Sequence, residues 1–318
     1  MKKDLWLLLG LLYAFTSTSV RASPVVLDSE FLAPGESGVS FEYLLFSSKA
    51  DGFFSTSLIS AVYKSELLRN AAIARYQLGI GDAVNVTAAI PYQIFVHQNE
   101  SLENKLKRVE YRVTGKGFMD PSIRIKARLA NKKLLSISSF ASVSIPVADD
   151  TIAIAEIKED DVIIQNGKPG AAGQGNIDLD AGFFLLSKLN HWLKVQTVLS
   201  YNYSASKLSG GAKVDQGDSL NFSLTSLMNI KSWLALSVEG RAGHQFEGNS
   251  GSLISLSSQF VGVSAGLHLR PFKNLLIGIQ GGYGRVLGLR RVDQANDLSY
   301  RIDNSVAPAG GFRISHSF

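Results

Sequence analysis

The 318-residue sequence contains no cysteine. That excludes a disulfide framework, thiol catalysis and thiolate metal sites, and leaves burial and backbone pairing to hold the fold. Past the first residues, no stretch approaches the roughly 18 consecutive apolar residues that a membrane-crossing helix needs. Charge is sparse: 19% of the residues carry it, and the formal net charge is only +5. Such an excess is too small to argue for nucleic acid as a partner. No metal-ligand spacing occurs and no cofactor motif is complete. The "NGKPGAAGQGN" stretch (166–176) is rich in glycine but lacks the Gly-Lys-Ser/Thr ending of a phosphate loop. "GDSL" (Gly217–Leu220) matches a hydrolase tetrapeptide, yet no Asp-x-x-His follows it, and it reads as chance.

What the chain does have is 45% hydrophobic residues, 29 glycines and a persistent two-residue rhythm. The start stands apart. Lys2 and Lys3 precede an apolar run, Leu5 to Phe15, and "STSVRAS" offers small residues for a cut after Ala22 or Ser23. Residues 1–23 therefore read as a secretory signal peptide. Its removal takes away Lys2, Lys3, Arg21 and Asp4 and lowers the formal charge from +5 to +3. Residues 24–37 read as a periplasmic tether, with a lumen plug as the alternative.

From about residue 38 alternation dominates, the mark of strands whose two faces meet unlike surroundings. In "PSIRIKARL", Ile123, Ile125, Ala127 and Leu129 oppose Arg124, Lys126 and Arg128. Aliphatic on one face and triply positive on the other, this strand needs two different solvents. About twelve such strands are expected, near 38–48, 67–79, 84–97, 119–130, 134–147, 175–187, 192–205, 217–230, 233–246, 258–270, 275–287 and 309–318, with ten to fourteen as the range. Short connections alternate with long ones throughout, as in outer-membrane barrels with tight periplasmic turns and long outer loops. The fold expected is all-β: a closed transmembrane antiparallel β-barrel over residues 38–318, in the bacterial outer membrane.

The last strand must pair with the first, because an open sheet edge is not tolerated in lipid. A terminal aromatic, Phe318, resembles the signal by which the outer-membrane assembly machinery recognises its barrel clients. Outer-membrane lipids and that machinery are the expected partners. Tyr92, Tyr201 and Tyr283 take the lipid-facing phase at similar heights and are expected to form an outer girdle. Trp192 and Trp233 fall on the inward phase, so that either the turns bulge or the rings fill the barrel floor. Pro91 falls mid-strand, where a bulge or kink is expected.

Three stretches in order carry a resemblance: "YQLGIGDAVNVTAAIPYQIF" (76–95), "GKGFMDPSIRIKARL" (115–129), and "SVSIPVADD" with "GQGNIDLDAGF" (142–150, 173–183). They are similar to the outer-membrane barrels named for the meta-pathway of phenol degradation. The resemblance implies uptake of small molecules, hydrophobic or aromatic ones among them, and transfers no catalytic residues. Here the chain has Pro146-Val147-Ala148 where the family often has Pro-Thr-Gly.

Alternation places Arg75, Arg124, Lys126, Arg128, Lys194, Arg241, Arg270 and Arg313 on the inward phase, against Glu42, Asp178, Asp180 and Glu239. These are the expected pore-lining residues, and the lumen they line is positive. Two readings carry equal weight: a lining that favours anions, or charges that pair across a narrow barrel and plug it. The expected function is passive passage of small molecules, not catalysis. An occluded structural or adhesive barrel acting through its outer loops is the alternative, and an outer-membrane lipase using a Ser–His pair is the third.

Overall fold

Because strand residues alternate faces, each turn of the chain direction must return the apolar set to the same side, and the connections do this. The computed structural model describes residues 31–56, 60–103, 108–147, 153–159, 162–166, 177–205, 207–209, 212–215, 217–250, 253–272, 274–293 and 298–317. The signal peptide, most of the glycine-rich 166–176 stretch and Phe318 lie outside them.

The elements are β1 (Ser37–Thr56), β2 (Ser60–Ile80), β3 (Val84–Glu103), β4 (Arg108–Phe118), β5 (Ser122–Asn131), β6 (Leu135–Ser144), β7 (Ala153–Glu159), β8 (Val162–Asn166), β9 (Asp178–Lys188) and β10 (Leu193–Ser204). They continue with β11 (Lys207–Ser209), β12 (Ala212–Asp215), β13 (Ser219–Lys231), β14 (Leu234–Gln245), β15 (Gly248–Ser250), β16 (Leu253–Ser255), β17 (Ser258–Phe272), β18 (Leu275–Leu287), β19 (Arg290–Asp293) and β20 (Leu298–Ser317). Several are successive pieces of one strand: β4 with β5, β6 with β7, β8 with β9, β10 with β11, β12 with β13, β14 with β15, β16 with β17 and β18 with β19. With β1, β2, β3 and β20 they make twelve antiparallel strands, each paired with its neighbours. β20 closes on β1 from Gly38↔Ser317 to Thr56↔Leu298. No sheet edge is left among these strands, as lipid requires.

The long connections are largely strand as well. β1 and β2 stay paired out to Ser55↔Ser60, and β3 and β4 to Glu103↔Arg108. The wall therefore continues as paired hairpins far beyond the apolar band.

The ladder bulges three residues past Pro91. Asn70 pairs with Phe95 and Ala71 with Gln93, so the ladder skips Ile94. This bulge flips the phase: Ile90 and Tyr92 face out before it, and Gln98 and Glu100 face in after it. The Gln93 side chain is 1% exposed and donates to the carbonyls of Asn70 and Phe95, so the bulge leaves those groups satisfied. The Met119 N–H donates to the Pro91 carbonyl at 3.0 Å. In antiparallel pairing N–H and C=O of one residue point the same way, so Pro91 lacks its donor on the side where β4 and β5 are interrupted.

Trp192 and Trp233 are both exposed and lie in turns. Asn190 Oδ1 accepts from the N–H groups of Trp192 and Leu193 at 3.0 and 2.7 Å, and β13 and β14 shift register between Asn229 and Lys231. Bulged turns, not a filled floor, account for the tryptophans. Tyr92, Tyr201 and Tyr283 are exposed on the outer face.

The centre of the molecule is a polar lumen rather than an apolar core. Residues buried there include Ser138, Gln196, Thr225, Ser237 and Glu239. No helix of the described residues is long and apolar enough to cross a membrane.

Candidate functional site in the barrel lumen

β5 sets three cations at two-residue spacing on the inner wall. Across from Arg124 stands Ser142, and across from Ser142 stands Asp180. Serine is short, so the Arg124 side chain spans β6 and its Nη2 reaches Asp180 Oδ2 at 3.5 Å. The same guanidinium lies 4.8 Å from the centroid of Phe140, whose ring packs on Phe184 at 4.8 Å. Lys126 is buried. Arg128 Nη1 donates to the Asp82 carbonyl at 2.9 Å, while its Nε is buried without a hydrogen-bond partner.

Between Lys126 and Arg128 lies a residue that alternation could not reach. The ring of Phe31 sits 4.4 Å from Lys126 Nζ and 4.3 Å from Arg128 Cζ, inside cation–π range. The backbone around it is held at the short-turn end of the lumen. Gly35 N–H donates to Gly79 O at 3.0 Å and Gly79 N–H to Glu36 O at 2.9 Å. With its amide oriented by its neighbours, Asn85 accepts the Leu32 N–H at 2.9 Å. Gly79 permits this approach: a Cβ there would stand 2.3 Å from Ala33 O. Gly35, at φ +78°, makes the turn that an L side chain would strain. Residues 31–36 thus pack against the inner wall, so this part of the predicted tether lies inside the barrel mouth.

Most other inward charges are tied locally. Arg75 is ion-paired with buried Glu42. Arg241 grips Glu239 with two bonds of 2.8 and 2.7 Å, and Ser264 Oγ approaches the same carboxylate at 3.5 Å. Arg313 donates to Ser315 Oγ at 2.9 Å and to Ser40 Oγ at 3.4 Å. Asp178 accepts from Ser204 Oγ at 2.8 Å. Lys194 is half-buried, and Arg270 lines a small recess of about 20 Å³ beside Trp233 and His268. The structure therefore unites Arg124 with Asp180, Glu239 with Arg241 and Glu42 with Arg75.

Two further features went unread in the sequence. Arg69 shares the phase of Arg75, six residues on, and donates to Gln93 and to Met119 Sδ; that shared phase was the available signal. Ser237 Oγ and His268 Nε2 lie 2.9 Å apart across two strands. Ser237 is buried and His268 Nδ1 faces Gly278, so the pair sits within the inner wall. Among the described residues no group of three or more His, Cys, Asp or Glu could hold a metal ion.

No family model and no curated protein matches this sequence. Among solved structures, an outer membrane channel from Pseudomonas putida F1 matches 92% of this chain and 98% of its own at 11% identity, with a TM-score of 0.58. A FadL homologue of Pseudomonas aeruginosa matches 91% of each chain at 8% identity and a TM-score of 0.42. The CymD monoaromatic hydrocarbon channel matches 90% of this chain and 89% of its own at 10% identity, also with a TM-score of 0.42. The last two scores are too low to carry an argument, and at 11% identity the first is a likeness of fold alone. With the closed barrel, that likeness shows that this chain has the fold of an outer-membrane β-barrel.

Proposed function

We propose that the chain is a channel of the bacterial outer membrane that passes small molecules, hydrophobic or aromatic compounds among them, by diffusion and without catalysis. The observation that carries the reading is the row Arg124, Lys126 and Arg128, turned into the lumen while Ile123, Ile125 and Leu129 face outward. Cations inside a closed barrel favour anions or polarised molecules in transit. The resemblance of residues 76–95, 115–129, 142–150 and 173–183 to the barrels named for phenol degradation supports the substrate class. Export by the 1–23 signal and insertion through Phe318 are part of the same proposal.

A second reading, an occluded structural or adhesive barrel acting through its outer loops, is favoured by Phe31 at the mouth and by the buried Glu42–Arg75 and Glu239–Arg241 pairs. Single-channel recording of the mature protein in planar bilayers separates the two. The channel reading expects steady conductance with anion preference. The R124Q/K126Q/R128Q variant should lose that preference, seen as a reversal potential moving towards zero in a salt gradient. A folded, electrically silent barrel overturns the channel reading and favours the occluded one.

A further inference from the structure

We infer that the place the Phe31 ring occupies beside Lys126 and Arg128 is a binding site for an aromatic carboxylate, and that the ring fills it when the ligand is absent. This place already displays what an arene needs. Two cations stand 4.4 and 4.3 Å from one ring, and the Arg124 guanidinium with the Phe140–Phe184 pair extends the same cation–aromatic strip along the wall. A benzene ring offers such a strip its negative face.

Phenylalanine satisfies only half of this site. The Nε of Arg128 is buried with no hydrogen-bond partner, a donor stripped of water that a hydrocarbon ring cannot serve. A carboxylate attached to the arene can accept from it, in the planar charge-assisted geometry that guanidinium favours. An aromatic carboxylate therefore replaces the ring of Phe31 and adds the acceptor that Phe31 lacks. Phe31 is also suited to leave, because it belongs to a short segment outside the β-ladder, held by a few hydrogen bonds to Gly79 and Asn85.

The inference deepens the channel reading by naming its substrate class, but binding and conduction are measured separately. Isothermal titration calorimetry on the mature full-length barrel in detergent micelles uses benzoate, benzamide and acetate as probes. Benzoate should bind, benzamide and acetate far more weakly. Phe31→Ala should tighten benzoate roughly tenfold, since an internal competitor lowers apparent affinity by the fraction of sites it occupies. Arg128→Gln should abolish benzoate binding while the barrel keeps its heat-modifiable migration on gels. Equal affinity for acetate or for benzamide, or an unchanged Kd in Phe31→Ala, overturns the inference. Absent binding in a conducting barrel sinks this inference and leaves the channel standing. Benzoate binding in a silent barrel does the reverse.

Discussion

Two ion pairs in this barrel look alike on paper and lie in opposite surroundings. Lys49 and Glu66 face each other across β1 and β2 on the outer face, 2.7 Å apart, with side chains 69% and 60% exposed. Glu239 and Arg241 lie on the inner wall, with side chains 1% and 13% exposed. The first pair belongs to a charged collar. On β1, β2 and β3 the outward positions run from Leu45, Leu68 and Phe95 to Lys49, Glu66 and Asn99, and Arg112 takes the matching place on β4. At that height the outward face turns from apolar to mixed, with Phe53 and Val62 exposed further along the paired strands. There the Glu66 carboxylate, by hydrogen bond and charge, raises the Lys49 pKa above its ordinary value. In the lumen the same chemistry is structural, since a carboxylate that has lost its water depends on its partner.

The comparison can be broken at three points. The largest effect is expected inside: Glu239→Ala leaves Arg241 buried without its bidentate partner and should lower unfolding free energy by about 3–5 kcal/mol, read from urea unfolding in micelles. If the midpoint stays put, the lumen is wetter than the wall suggests. Next comes the lipid face. Ile125 is exposed one residue from Lys126, and Ile125→Arg should cost about 2–4 kcal/mol in refolding into bilayers, as for cations near the midplane of such barrels. A neutral result would move the apolar band away from β5. The smallest effect belongs to the collar, where Lys49→Ala should leave the unfolding midpoint unchanged within error, because exposed pairs are screened by water and salt. A measurable loss there would mean that lipid reaches the collar.

Legibility followed the range of the forces involved. The inward set of β5, the closing phase of β20 and the strand number could be read along the chain, because a strand's two faces are dictated by neighbours two residues apart. Pro91 announced an irregularity, yet the bulge falls at Ile94 in the pairing with β2, while the missing donor faces the interruption between β4 and β5. The tryptophans deceived the phase argument, since Asn190 and the shift after Asn229 reset the count at the turns.

Away from the bulge at Ile94 and the tryptophan turns, the sequence by itself determined which side chains face lipid and which face the lumen, and that the edges must close, because alternation and the cost of unpaired backbone in lipid are local and general. Only the tertiary structure decided who meets whom. Arg124 finds Asp180 because Ser142 on the strand between them is short, and Phe31 finds Lys126 and Arg128 because Gly79 leaves the wall bare. Those contacts join residues far apart in the chain, and they depend on register and side-chain volume across several strands, which no pattern along one strand contains.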